Sequence, residues 1–129
     1  NFEFAENDEY HPNTAVIRLL GKNQTVEVRG ASIGAARIEI QEIDGMNVSF
    51  NGDFNTLIVF HTDAIGVMAA VTALLSGNGI NIASMKLFRT GKGKKAIAVI
   101  ETDQQIRCYK KIEKALENSR VVYYEKSNV

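Results

Sequence analysis

His61 and Asp63 stand two positions apart in HTDAIGVMAAV (61–71), and Gly66 follows closely. In extended backbone, alternate side chains share a face, so H-x-D offers two donors to a metal or a base–acid pair to a reaction. A metal site wants three or four donors, and the other histidine, His11, lies far off in the sequence. A hydrolase would need a nucleophile on a strained turn, and no G-x-S-x-G or comparable element is present. Two readings of the stretch remain. In one, His61 ends a strand and Asp63 is a helix N-cap or turn former. In the other, backbone amides at the helix start receive a small anion, with Gly66 permitting close approach; an amino-acid carboxylate suits such a place.

Three further stretches invite chemistry. TGKGKK (90–95) has the look of a phosphate loop, but that motif needs G-x-x-x-x-G-K-[ST] between a strand and a helix, and here a strand follows. It reads as a solvated hairpin tip. In HPNT (11–14) Pro12 fixes the backbone beside His11, Asn13 and Thr14, which either hydrogen-bond a ligand or form a turn entering a strand. GASIGAA (30–36) sets Ser32 between glycines, either to hold an anion on backbone amides or to form a bulge or turn.

The elements that must position these residues are clearest in the second half. TLIVFHT (56–62) is an apolar, β-branched and aromatic run, as in a buried strand. From Ile65 the pattern changes: Met68, Val71, Leu74 and Leu75 recur at helical spacing among alanines. SGNGI (76–80) stops the helix, Gly77 and Gly79 both being free to take positive φ. INIASMKLFRT (80–90), GKG (91–93) and KKAIAVIET (94–102) read as strand, turn, strand. QQIRCYKKIEKALENS (104–119) places Ile106, Tyr109, Ile112 and Leu116 on one helical face, with Asp103 as the expected cap. VVYYE (121–125) closes with a strand. The order β-α-β-β-α-β predicts an α+β, ferredoxin-like fold with both helices on one face of an antiparallel sheet. Right-handed crossovers put the first and third strands at the centre. The second strand is then an edge, which we expect another copy or domain to cover.

The first half has no helical period. TAVIRLL (14–20), QTVEVRGASI (24–33), RIEIQEID (37–44) and NVSF (47–50) read as strands separated by glycine turns, and residues 1–13 read as irregular. This β-rich portion is expected to end a larger domain. At 129 residues, 45% hydrophobic and 23% charged, the chain is neither disordered nor membrane-spanning, and no apolar run approaches the roughly 18 residues a span requires. The lone Cys108 rules out an internal disulfide and points to a reducing, cytoplasmic compartment. Residues 1–54 carry four Lys/Arg against nine Asp/Glu, and residues 55–129 eleven against six. With no Trp and no basic stripe interleaved with aromatics, nucleic acid is not expected as a partner.

The second half resembles an ACT domain, a small amino-acid-sensing regulatory module. DAIG (63–66) stands where the family has D-x-P-G, with Ile65 in place of proline, and INI (80–82) opens the second strand. HPNTAVIRLL, VRGASIGAARIEI, IDGMNVSFNGDFNTLIVFHTD and the ACT signature follow one another as in the β chain of iron–sulfur-dependent L-serine dehydratases. That resemblance runs from about His11 to Val122. Where the family has SIGGG this chain has SIGAA (32–36), and Ala35 and Ala36 restrict positive φ and narrow any anion pocket there.

The resemblance implies the C-terminal part of such a β chain: residues 1–54 ending an allosteric substrate-binding domain, residues 55–129 forming the ACT domain. Those enzymes convert L-serine to pyruvate and ammonia with a [4Fe–4S] cluster as Lewis acid. Its cysteines belong to the catalytic α chain or domain; this chain, with Cys108 alone, carries no cofactor and no catalytic residues. Carried over onto matching positions, the ACT ligand site comprises Asp63, Ala64, Ile65, Gly66 and Val67, whose amides receive a carboxylate, with Asn81 bonding from a facing strand. ACT sites often lie at dimer interfaces. The upstream substrate site comprises His11, Asn13 and Thr14, supported by Ser32, Ile33 and Gly34. The implied partners are the catalytic α chain, a second copy through the ACT domain, and a small amino acid such as L-serine. The alternatives are a purely structural dimerisation or docking module, and the regulatory tail of a D-3-phosphoglycerate dehydrogenase.

Overall fold

The computed structural model describes residues 2–5, 14–20, 25–34, 37–116 and 118–126. The chain divides into two compact units, residues 1–51 and 52–129.

The first unit is an antiparallel sheet of five strands in chain order: β1 (Phe2–Ala5), β2 (Thr14–Leu20), β3 (Thr25–Gly34), β4 (Arg37–Ile43) and β5 (Met46–Phe50). Strand β1 corrects the expectation that residues 1–13 are irregular: Phe2–Ala5 pairs with Leu19–Val16. Its four residues are too short to stand out in the sequence, and only the neighbouring strand makes them extended. Between β4 and β5 the chain reverses in two residues, Asp44 and Gly45, with φ of 49° and 81°. That is the positive-φ pair a tight hairpin requires, and Asp-Gly is suited to supply it. The Asp44 carboxylate also accepts the Glu27 amide at 2.8 Å, tying the turn to β3. Register shifts interrupt the β3–β4 ladder at Arg29/Gly30 and at Ser32/Gly34.

The second unit runs β6 (Asn55–Thr62), α1 (Val67–Gly77), β7 (Ile82–Arg89), β8 (Lys95–Thr102), α2 (Tyr109–Ala115), β9 (Arg120–Tyr124). Its sheet order is β7-β8-β6-β9, every pair antiparallel, so the first and third strands are central and β7 and β9 are edges. This is the ferredoxin-like arrangement. Leu57 and Val59 of β6 and Ala98 and Ile100 of β8 share one face, and Val71, Leu75 and Ile112 of the helices close over them. Ile58, Ile97 and Val99 on the opposite face are buried as well. A strand apolar on both faces shows no alternation, hence the unbroken run TLIVF.

The helices end where local chemistry dictates. Gly79 (φ +73°) is the left-handed residue after α1: its amide bonds to the Ser76 carbonyl and that of Ile80 to Leu75, while Ile80 packs on the core. This is the reciprocal C-terminal motif with its apolar contact. Gly77, expected to share that role, is instead the last helical residue. Helix α2 is shorter than the 104–119 expected, and its N-cap is Cys108 rather than Asp103. Residues 103–106 are held in a loop by distant partners: the Asp103 carboxylate by Asn81, Gln104 Oε1 by the Asn81 amide, and the Ile106 amide by the Tyr123 hydroxyl. Extended Leu116 (ψ 114°) and left-handed Asn118 (φ 57°) end α2.

Candidate functional site

The turn between β6 and α1 is built around Gly66. Its φ of 89° is a conformation that a side chain disfavours, although nothing lies within 4 Å of where a Cβ would be. Gly66, not Asp63, is the N-cap of α1, so the expected capping role of Asp63 is corrected. No side chain caps the helix, and its first turn holds no acidic residue. The leading amides of an 11-residue helix are thus left with their partial positive charge unanswered by any side chain. Ile65, in the position of the usual proline, projects fully into solvent.

Asp63 turns instead to the β7–β8 hairpin. Its Oδ2 accepts from Arg89 Nη1 at 2.8 Å and from the Gly93 amide at 3.1 Å, and its own amide donates to the Lys94 carbonyl at 2.7 Å. The Arg89 hydrogen bond, then that from Gly93, hold the Asp63 carboxyl below its ordinary value; partial burial opposes this, and the charge of Arg89 adds to the lowering. The remainder of TGKGKK forms the hairpin tip, with Gly93 at φ +73° and Lys92, Lys94 and Lys95 exposed.

His61 goes the other way. It is 8% exposed, and its Nδ1 lies 2.9 Å from the Thr62 carbonyl. A carbonyl only accepts, so Nδ1 carries the hydrogen and Nε2 of the neutral ring offers a lone pair. That Nε2 is buried without a hydrogen-bond partner. His61 lines a cavity of about 520 Å³ together with the turn residues Ala64–Val67 and, from beyond α2, Leu116 and Asn118. His61 and Asp63 therefore serve different neighbours. Among the described residues no group of three or more His, Cys, Asp or Glu side chains could hold a metal ion. Cys108 is buried at the start of α2, and one thiol does not fit an iron–sulfur cluster.

Asn81 is not brought to this turn within one chain. The ladder sets Thr62 and Arg89 at one end of the sheet, against Lys95 and Ala96, and Asn55 and Ile82 at the other, against Thr102. Asn81 lies roughly 25 Å away, one eight-residue strand's length, bonded to Asp103 and Gln104. Of the upstream candidates, His11 and Asn13 lie outside the described residues, and so do the side chains of Thr14, Ser32 and Ile33. The backbone register sets Thr14 opposite Ala31, next to Ser32, and Gly34 ends β3 against Arg37.

A family model described as an AHAS small subunit-like ACT domain matches residues 57–123, from β6 into β9 and across the whole turn. The chain belongs to that family. Outside the ACT domain, the similarity extends into the first unit. The chain is 36% identical over 96 residues to the probable L-serine dehydratase, beta chain, of Bacillus subtilis (strain 168), covering 74% of this chain and 44% of that one. It is 35% identical over 79 residues to the L-serine dehydratase, beta chain, of Peptoniphilus asaccharolyticus, covering 60% and 36%. A D-3-phosphoglycerate dehydrogenase of Bacillus subtilis (strain 168) is 29% identical over 116 residues, covering 90% and 22%. The chain thus spans less than half the length of these relatives. An ACT domain in a chain similar to dehydratase β chains points to a regulatory or subunit role. Among the described residues no helix is long and apolar enough to cross a membrane.

The turn is visible in the sequence, whereas His61 as a cavity residue, Arg89, Gly93 and Asn118 emerge only in the folded chain. The H-x-D spacing drew attention to His61, but the residues offered it only a strand terminus once a metal pair lacked further donors. Arg89 is 26 positions from Asp63, and no local pattern announces such a pairing.

Proposed function

We propose that this chain is the regulatory part of an L-serine dehydratase, its ACT domain binding a small amino acid at the β6–α1 turn. One observation carries the reading: the uncapped N-terminus of α1 opens beside a cavity lined by His61, whose Nε2 is buried and unpartnered. The α1 amides suit a carboxylate, and a lone pair on Nε2 suits the ammonium or hydroxyl of the same ligand. On this reading the carboxylate of L-serine meets the α1 amides and its other polar groups lie on the His61 side of the cavity.

Asn81 enters through a second copy. Edge strand β7 exposes Met85 and Leu87, and two such strands paired antiparallel about a two-fold would set Asn81 of one copy beside Arg89 of the other. The first unit would then belong to a substrate-binding domain whose site draws on His11, Asn13, Thr14, Ser32, Ile33 and Gly34. The dehydration itself, with any [4Fe–4S] cluster, would belong to a catalytic α chain or domain, a reading supported by Cys108 being one thiol where a cluster takes several.

The test is a calorimetric titration of the full-length protein with L-serine. We expect saturable heat and a thermal shift, with His61→Phe and Gly66→Asp each weakening binding by about tenfold or more at unchanged oligomeric size. Wild-type protein giving neither heat nor shift at saturating serine would leave only the purely structural docking reading, which the exposed Ile65, Met85 and Leu87 favour.

A further inference from the structure

The Asp63 carboxylate spends one oxygen on two partners. Oδ2 receives both Arg89 Nη1 and the Gly93 amide, while the Asp63 backbone amide reaches Lys94. Arg89 is the last residue of β7, and Gly93 and Lys94 belong to the turn that follows. One side chain at the head of the ligand turn is therefore fastened three ways to the tip of the neighbouring hairpin. Asp63 is followed by Ala64, Ile65 and Gly66, and the helix opens at Val67 with no capping side chain. What fixes the direction in which those first amides point is the backbone entering the turn, and that backbone is anchored at Asp63.

We propose that Arg89 is a positioning residue of the ligand turn: through Asp63 it holds the β6–α1 turn on the β7–β8 hairpin, so that the α1 amides are aimed for a carboxylate. Arg89 does not touch the ligand. This inference rests on the amino-acid reading of the turn, and adds a residue from the edge strand that a second copy would cover. A change at that edge that moves Arg89 thereby reaches the turn through its contact with Asp63.

The charged and titratable groups on the elements around Asp63 are Arg89 at the end of β7, the imidazole of His61 at the end of β6, and Lys92, Lys94 and Lys95 in the hairpin; the first turn of α1 carries no acid. Protonating Asp63 weakens the two bonds its carboxylate accepts, from Arg89 and Gly93, and leaves the amide bond to Lys94. Because Arg89 is the first cause of the lowered carboxyl titration, wild-type affinity should persist to lower pH than that of a variant lacking the guanidinium.

The experiment measures L-serine affinity of the full-length protein against pH for wild type, Arg89→Met, Arg89→Lys and Asp63→Asn, with carboxyl and amide NMR shifts of Asp63, Gly93, Val67 and Met68 alongside. Arg89→Met is expected to weaken binding by about fivefold near neutral pH and to move the acid limb upward, toward the ordinary carboxylate range. Arg89→Lys should restore part of both, and Asp63→Asn should remove the acid limb. A merely structural contact would lower the melting temperature and leave the acid limb in place. Unchanged affinity and acid limb in Arg89→Met overturn the proposal. If wild type binds no amino acid, the functional reading fails. The NMR shifts then decide the positioning alone: movement at Val67 and Met68 in Arg89→Met upholds it, and none overturns it.

Discussion

Asp63 and His61 are neighbours in sequence with opposite fates, and the difference lies in what each finds two or three ångströms away. Asp63 finds a guanidinium and an amide, and its carboxylate is satisfied at the surface. His61 finds a carbonyl on one side and nothing on the other, an arrangement that costs stability unless a ligand answers it. The Asp63 contacts carry a sign that solution measurements can read. Its carboxyl is lowered in the folded protein, so its contribution is fully present above the unfolded value and is lost as pH falls through the folded one. We expect Asp63→Asn to lower the urea midpoint slightly at pH 7, and the gap from wild type to close as pH drops below about 4. A gap that stays constant into acid, or widens there, would show that the carboxylate's charge is not what Arg89 and Gly93 hold.

At the scale of elements, two glycines two positions apart behave oppositely. Gly77 is the last residue of α1 with ordinary helical backbone, and Gly79 is left-handed at φ +73°; neither has an atom within 4 Å of a built Cβ. Space is therefore no issue at either, and backbone conformation alone sets the sign. We expect Gly77→Ala to stabilise the protein by about 0.5–1 kcal/mol, from helix propensity. Gly79→Ala should destabilise it by about 1 kcal/mol, from a left-handed alanine. Urea unfolding of the two variants checks both, and equal signs would contradict the assigned cap. The same contrast explains what the sequence could tell. Helix α1 was legible because Met68, Val71, Leu74 and Leu75 face one core and Gly79 stops it by local chemistry. Helix α2 was overdrawn because Ile106 falls at helical spacing, yet its amide is held by the Tyr123 hydroxyl from another strand. The strand-to-helix turn at Asp63–Gly66 was legible for the same local reason, a glycine with positive φ ahead of the helix. Its fastening to Arg89 was not, since only the folded sheet brings β6 and the far end of β7 to one level.

For the whole molecule the deciding feature is the second unit's free edge. Strand β7 pairs with β8 on one side, and its Met85 and Leu87 stand 44% and 45% exposed. Natural edges are kept from pairing by charge, proline or brevity, and eight residues with two exposed aliphatic side chains at the middle use little of that protection. Lys86, between them, is the one charge in the strand's centre. If two copies pair along β7, binding and assembly become linked, because the turn of one copy and Asn81 of the other build the same corner. Ligand affinity must then depend on protein concentration, and self-association must tighten with ligand by the same factor. We expect Leu87→Lys to weaken self-association in sedimentation equilibrium by about tenfold or more, since a second charge would be buried against its own copy. The variant should also lose serine affinity at low protein concentration and recover it as the concentration rises. A wild-type protein that sediments as a monomer with unaltered serine affinity at every concentration would place the whole site within one chain, on the His61 side of the turn.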